Sequence, residues 1–153
     1  MRFLAISVFI LVVSSGFAQR KLPDISFKHG STDYADANRR FDDDGQYVDT
    51  LRDEHIVKSL VGILKDNPQL KIELGGHTAI NEDTLLAIQR AEKVKLLLLN
   101  KGIPGDRIAV QSYGHRKPVI SDETVLMLSA SIEREAANQR NRRVEVRVID
   151  IEN

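Results

Sequence analysis

Apolar and polar positions alternate with two different periods along this chain, and the switches between them mark its elements. Leu70, Ile72 and Leu74 alternate with Lys71 and Glu73, which predicts a half-buried strand ended by Gly75-Gly76. Val144, Val146 and Val148 alternate with Glu145 and Arg147 in the same way. Ile108, Val110 and Ser112 give another strand, and Ile25-Ser26-Phe27 a short first one. Between the strands the period becomes helical. Val57, Leu60, Val61 and Leu64 predict a helix over residues 50–67, with Asp49 or Thr50 to cap it and Pro68 to stop it. Ala87, Ala91, Val94 and Leu98, widened by Leu97, predict a second helix from residue 83 or 84 to 101. Gly102 stands where a C′ glycine belongs, with Pro104 beyond it. Val125, Leu128 and Ile132 predict a third helix over residues 123–138, while the polar, Asp-rich residues 31–46 read as a long loop. The order is β-α-β-α-β-α-β, which favours a two-layer sheet-and-helix domain with crossover connections and partly parallel pairing.

The first residues fall outside this scheme. Met1-Arg2 is followed by the apolar residues 3–13, and the small residues Gly16 and Ala18 precede Gln19. That is the n-region, h-region and cleavage pattern of a secretory signal peptide, over residues 1–18. The apolar run is too short to span a bilayer, so no transmembrane span is expected in the mature chain. A short polar lead, 19–24, would then precede one domain over residues 25–150.

Composition narrows the chemistry. Among 153 residues, 22 are Lys or Arg and 22 are Asp or Glu, so the chain carries no net charge to draw it to nucleic acid. Cleavage before Gln19 removes only Arg2 and leaves a net charge near −1. Cysteine is absent, which removes disulfides, thiol catalysis and cysteine-ligated metals. His29, His55, His77 and His115 are scattered, with no metal-ligand spacing. There is no nucleophile–base signature and no phosphate-cradling glycine loop, so the expectation is a non-catalytic protein with no cofactor and no metal. The acidic residues Asp42, Asp43, Asp44 and Asp49 lack the spacing of a calcium loop. The basic cluster Arg140, Arg142 and Arg143 lacks interleaved aromatics, which argues against nucleic-acid binding.

Four stretches carry a resemblance: LKIELGGHTA at residues 70–79, Arg90-Ala91 in the second helix, Arg107-Ile108 with Ser112-Tyr113-Gly114 and Pro118, and Asn141-Arg142-Arg143-Val144-Glu145. Together, in this order, they resemble the OmpA C-terminal-like family of peptidoglycan-associated domains. The resemblance implies an α+β two-layer sandwich with a mixed sheet, a periplasmic location at the cell wall or outer membrane, and non-covalent binding of peptidoglycan. The ligand implied is the diaminopimelate residue of the stem peptide, its ammonium taken by an aspartate and its carboxylate by an arginine.

Residue by residue, the implied site is half rewritten. The family's Gly-His-Thr-Asp matches Gly76, His77, Thr78 and Ala79, so the aspartate is alanine here. The carboxylate-binding arginine is kept at Arg90, and Asn141 and Arg142 match groove residues. The helix Asn and Ser that usually precede the arginine fall on Asp83 and Ala87. The loop after Ala79 is shorter than usual, and the stretch between Pro118 and Asn141 longer. If stem-peptide binding survives, Glu82 or Asp83 must supply the missing carboxylate. Otherwise the chain is a divergent envelope scaffold that meets other envelope proteins. Arg90 is expected near the helix surface, where its removal would spare the fold.

Overall fold

The computed structural model describes residues 22–35, 39–41, 47–49 and 53–151. The expected signal peptide and the aspartates 42–44 lie outside them. The elements are β1 (Ile25–Ser26), β2 (Arg39–Phe41), β3 (Tyr47–Asp49), α1 (Asp53–Asp66), β4 (Leu70–His77), α2 (Leu85–Asn100), β5 (Ile108–Gly114), α3 (Asp122–Met127), α4 (Ser131–Asn141) and β6 (Arg143–Ile151). The main sheet runs β1-β6-β4-β5. β4 and β5 are parallel, joined through α2, while β6 is antiparallel to both β4 and β1. The mixed sheet and two-layer order are those expected.

Three expectations change. The loop 31–46 contains β2, which pairs antiparallel with β3 in a separate two-stranded ladder. Each strand is only three residues long, too short for an alternating apolar signal. The third helix is two. Ser121 caps α3 by accepting from the Thr124 N–H, and Leu128 and Ala130 are extended at the break. Arg134 reaches back to the carbonyls of Leu128 and Ser129, satisfying acceptors that a continuous helix would have used itself. Val125 is buried but Ile132 is 79% exposed, so the apparent stripe does not face one core. Finally, β4 does not stop at Gly75-Gly76 but continues to His77. Here the glycines mark close approach: a Cβ on Gly76 would meet the Ala87 carbonyl of α2, and one on Gly75 the Tyr113 ring.

The core lies between the sheet and α1 and α2. Ile72, Leu74, Val144 and Val146 face Val57, Leu60, Leu64, Ala91, Val94 and Leu98 in one buried cluster. α2 ends as its sequence requires. Gly102 takes φ +86, Gly102 N–H donates to Leu99 and Ile103 N–H to Leu98, the double bond pattern of a Schellman close. Ile103 and Leu98 belong to the same apolar cluster, which fastens the helix end to the core.

Candidate functional site

α2 turns its buried stripe of Ala87, Ala91, Val94 and Leu98 toward the sheet, and Arg90 lies on that same stripe. It is therefore fully buried, not near the surface as expected. A buried guanidinium must have all its donors answered. Nε donates to the Ser31 carbonyl at 3.0 Å. Nη1 donates to the His77 carbonyl at 3.2 Å and to Glu82 Oε2 at 3.0 Å. Nη2 donates to the Lys28 carbonyl at 3.0 Å and to Glu82 Oε1 at 2.7 Å. All five N–H groups are spent inside the protein, and the face of the group rests 5.4 Å from the Phe27 ring centroid.

Glu82 is the other half of a bidentate pair, its side chain also fully buried. It comes from the short turn before α2, where Glu82 N–H donates to the Ala79 carbonyl. Its Oε1 accepts from Gly30 N–H at 2.8 Å and its Oε2 from Ala79 N–H at 3.0 Å. Burial alone would raise its pKa, but the Arg90 hydrogen bonds and the two amides hold it below the usual carboxylate value. The Gly30 turn is closed by the Phe27–Tyr34 ladder pair and tied down by Lys93 on the Thr32 carbonyl. It lies over Arg90 as a strap.

A second arginine extends the cluster. Arg142, fully buried at the end of α4, places Nε 3.4 Å from Glu82 Oε1. Its Nη1 and Nη2 clamp Glu135 at 2.6 and 2.9 Å, and Nη1 also reaches Gln139. The result is an alternating row, Arg90–Glu82–Arg142–Glu135, with two charges of each sign.

The other residues picked out by sequence take separate places. Ala79 is buried beside this row, and its N–H is the Glu82 donor. Thr78 is buried and donates its N–H to Gly114 across the strand ends. Asp83 stays exposed and accepts from Leu85 N–H at the start of α2, so of the two candidate carboxylates only Glu82 meets Arg90. Asn141 uses its side chain on backbone: Oδ1 accepts from Val119 and Ile120, and Nδ2 donates to Ile120. It anchors the segment leading into α3.

His77 sends its carbonyl to Arg90 but its ring to the opposite face of the sheet. The ring stacks on Tyr113 with centroids 5.1 Å apart, and Nε2 lies 3.4 Å from Glu145. Beside it, Glu73 accepts from Tyr113 Oη and from Arg147, and Lys117 sits over the Tyr113 ring. Burial, then the charges of Arg143, Arg147 and Lys117, push the His77 pKa down to about 3. A folded value below the unfolded one, near 6.5, means that unfolding takes up a proton as the pH falls between them. The His77 contribution to stability is therefore complete above about pH 6.5 and declines toward the folded value. The carboxylates with lowered pKa values start from 4.5, so they act only below that. Urea midpoints at pH 7 and pH 5 should fall for the wild type and converge for His77→Phe, which keeps the ring stack. An equal fall in both proteins would exclude His77 as the source.

A cleft of about 390 Å³ opens elsewhere, between the start of α2 and the end of β5, lined by Leu85, Ile88, Tyr113, His115 and Arg116 among others. Arg90, Glu82 and Arg142 do not line it. Among the described residues no group of three His, Asp or Glu is placed to hold a metal ion. No described helix is long and apolar enough to cross a membrane.

Comparison with known proteins gives the class to which this arrangement belongs. The model of the OmpA family matches residues 40–126, and the chain is a member of that family, as its motifs led us to expect. Outer membrane porin F of Pseudomonas fluorescens is 33% identical over 96 residues, 60% of this chain and 26% of that protein. The chain thus spans about a quarter of that relative's length. The fold matches the peptidoglycan-associated lipoprotein of Burkholderia pseudomallei with a TM-score of 0.59 at 20% identity, over 82% of this chain and 89% of that one. It matches the C-terminal domain of Helicobacter pylori MotB with a TM-score of 0.58 at 18% identity, over 81% of each chain.

Proposed function

We propose that this chain is an exported, periplasmic domain that works non-catalytically in the cell envelope as a protein-interaction scaffold, with its stem-peptide pocket closed. Family membership supports the envelope setting. The observation that carries the scaffold reading is the state of Arg90, whose five donors are all used and whose side chain meets no solvent. A diaminopimelate carboxylate would have to displace Glu82 and lift the Gly30 strap. Its ammonium would find Ala79 where the family places an aspartate.

One observation favours a second reading, in which stem-peptide binding persists. Ala79, Arg90 and Arg142 stand together, and Glu82 supplies a carboxylate among them. Co-sedimentation with peptidoglycan sacculi separates the two. The protein purified from the periplasm should stay in the supernatant. The double variant A79D/E82A, which returns the carboxylate to the family's position, should sediment at least tenfold more. Wild-type sedimentation that is lost in E82A would reject the scaffold reading in favour of the second.

A further inference from the structure

The four hydrogen bonds to Glu82 describe an anion site more than a structural ion pair. Two come from one guanidinium in a parallel fork, the geometry arginine offers to any carboxylate. Two come from backbone amides, Gly30 and Ala79, on segments far apart in the chain. A fifth donor converges on the same point. Arg142 Nε is buried, makes no hydrogen bond, and faces Glu82 Oε1 from 3.4 Å. The Glu82 tether leaves that donor unanswered, and a carboxylate free to settle deeper would reach it.

We infer that Glu82 is an internal ligand: its carboxylate fills a site made by Arg90, Arg142 and the amides of Gly30 and Ala79, and that site accepts a free small carboxylate once the side chain is gone. The inference deepens the closed-pocket reading above and rests on it. It names the occupant that keeps the pocket shut and the class of ligand, a carboxylate, that competes with it. It also makes the Gly30 strap the moving part. The strap is held by Glu82 through the Gly30 amide and by Arg90 through the Lys28 and Ser31 carbonyls. Loss of the carboxylate leaves Arg90 seeking an anion and the strap short of one tie.

The test is chemical rescue of E82A in the full chain. Formate carries the carboxylate of Glu82 with no chain attached, so it fits the space the substitution empties. E82A should unfold at a lower temperature than wild type. Sodium formate at about ten times its dissociation constant should raise the midpoint by ~3 °C relative to equal sodium chloride. Wild type should show no such difference, since its site is filled. In amide exchange followed by NMR, E82A should lose protection at Gly30 and Ala79, and formate should restore it at both. If E82A fails to fold in chloride, dilution from urea into formate should recover the folded spectrum. Equal behaviour of E82A in formate and chloride, whether folded in both or unfolded in both, would overturn the inference. These outcomes are independent of the sacculus test. Failed rescue with the wild type still off the sacculi leaves the scaffold reading in place. Rescue with the wild type on the sacculi removes the scaffold reading alone.

Discussion

Arg90→Ala should cost about 3–5 kcal/mol of unfolding free energy, although the motif resemblance implied that its guanidinium serves a ligand. The reason is Glu82. Its carboxylate is fully buried, and two of its hydrogen bonds come from Arg90. Removing one member of a buried pair leaves the other as an uncompensated charge, the costly way to break such a contact. The Nη groups of Arg142 are committed to Glu135, so it can offer Glu82 only its single Nε donor and cannot replace the Arg90 fork. The loss also frees the Lys28, Ser31 and His77 carbonyls, three acceptors that Arg90 now serves. Arg90→Lys should recover only part of this, because an ammonium cannot fork onto a carboxylate and reach three carbonyls at once. Urea unfolding of wild type, R90K and R90A should rank in that order. A change under about 1 kcal/mol for R90A, the range of an exposed pair, would show that the pair is solvated.

That burial was legible in the sequence, and the resemblance obscured it. Residues 87, 90, 91, 94 and 98 form one helical stripe, so Arg90 faces the core by the same spacing that places Ala91 and Val94 there. Treating the arginine as a ligand-binding side chain suggested the surface instead. The Glu82–Arg90 pair was only half legible. Glu82 and Asp83 were equivalent candidates on one short loop, and their choice depends on the Ala79–Glu82 turn, which aims one carboxylate inward and leaves the other at the helix start. The Arg142–Glu135 clamp was missed, yet Glu135 and Gln139 on α4 and Arg142 just past its end recur at spacings of four and three, the ordinary pattern of neighbours on a helix face. The part played by the strap had no sequence signal, since it acts through two carbonyls and one amide, which every residue there carries. For the fold, alternation and helical stripes located β4, β5, β6, α1 and α2. They failed where the pattern persisted through extended backbone, at residues 128–130, and where strands were three residues long, at β2 and β3.

Gly76→Ala should be the most disruptive added methyl among the described glycines, because of where β4 passes under α2. A Cβ at Gly76 would sit 1.8 Å from the Ala87 carbonyl oxygen and 2.5 Å from its carbon. Both atoms are helix backbone, so no rotamer change relieves the contact. Strand and helix must separate by more than an ångström, which opens the interface that buries Ala91, Val94 and Leu98. Overpacking of side chains costs about 1–3 kcal/mol, and a backbone collision belongs at or beyond the upper end. The displacement reaches the ion-pair row as well. Arg90 is one helical turn beyond Ala87, and it bonds to the carbonyl of His77, the residue after Gly76. G76A should therefore lose about 3 kcal/mol or more in urea and also expose the amides of Gly30 and Ala79 to exchange. Gly75→Ala makes the control. Its Cβ would meet the edge of the Tyr113 ring at 2.8 Å, a half-buried side chain that can give by a small ring shift where helix backbone cannot. Its cost should be under half that of G76A, with the Gly30 and Ala79 amides still protected. Equal losses from the two substitutions would mean that the sheet, not the helix contact, sets the cost at Gly76.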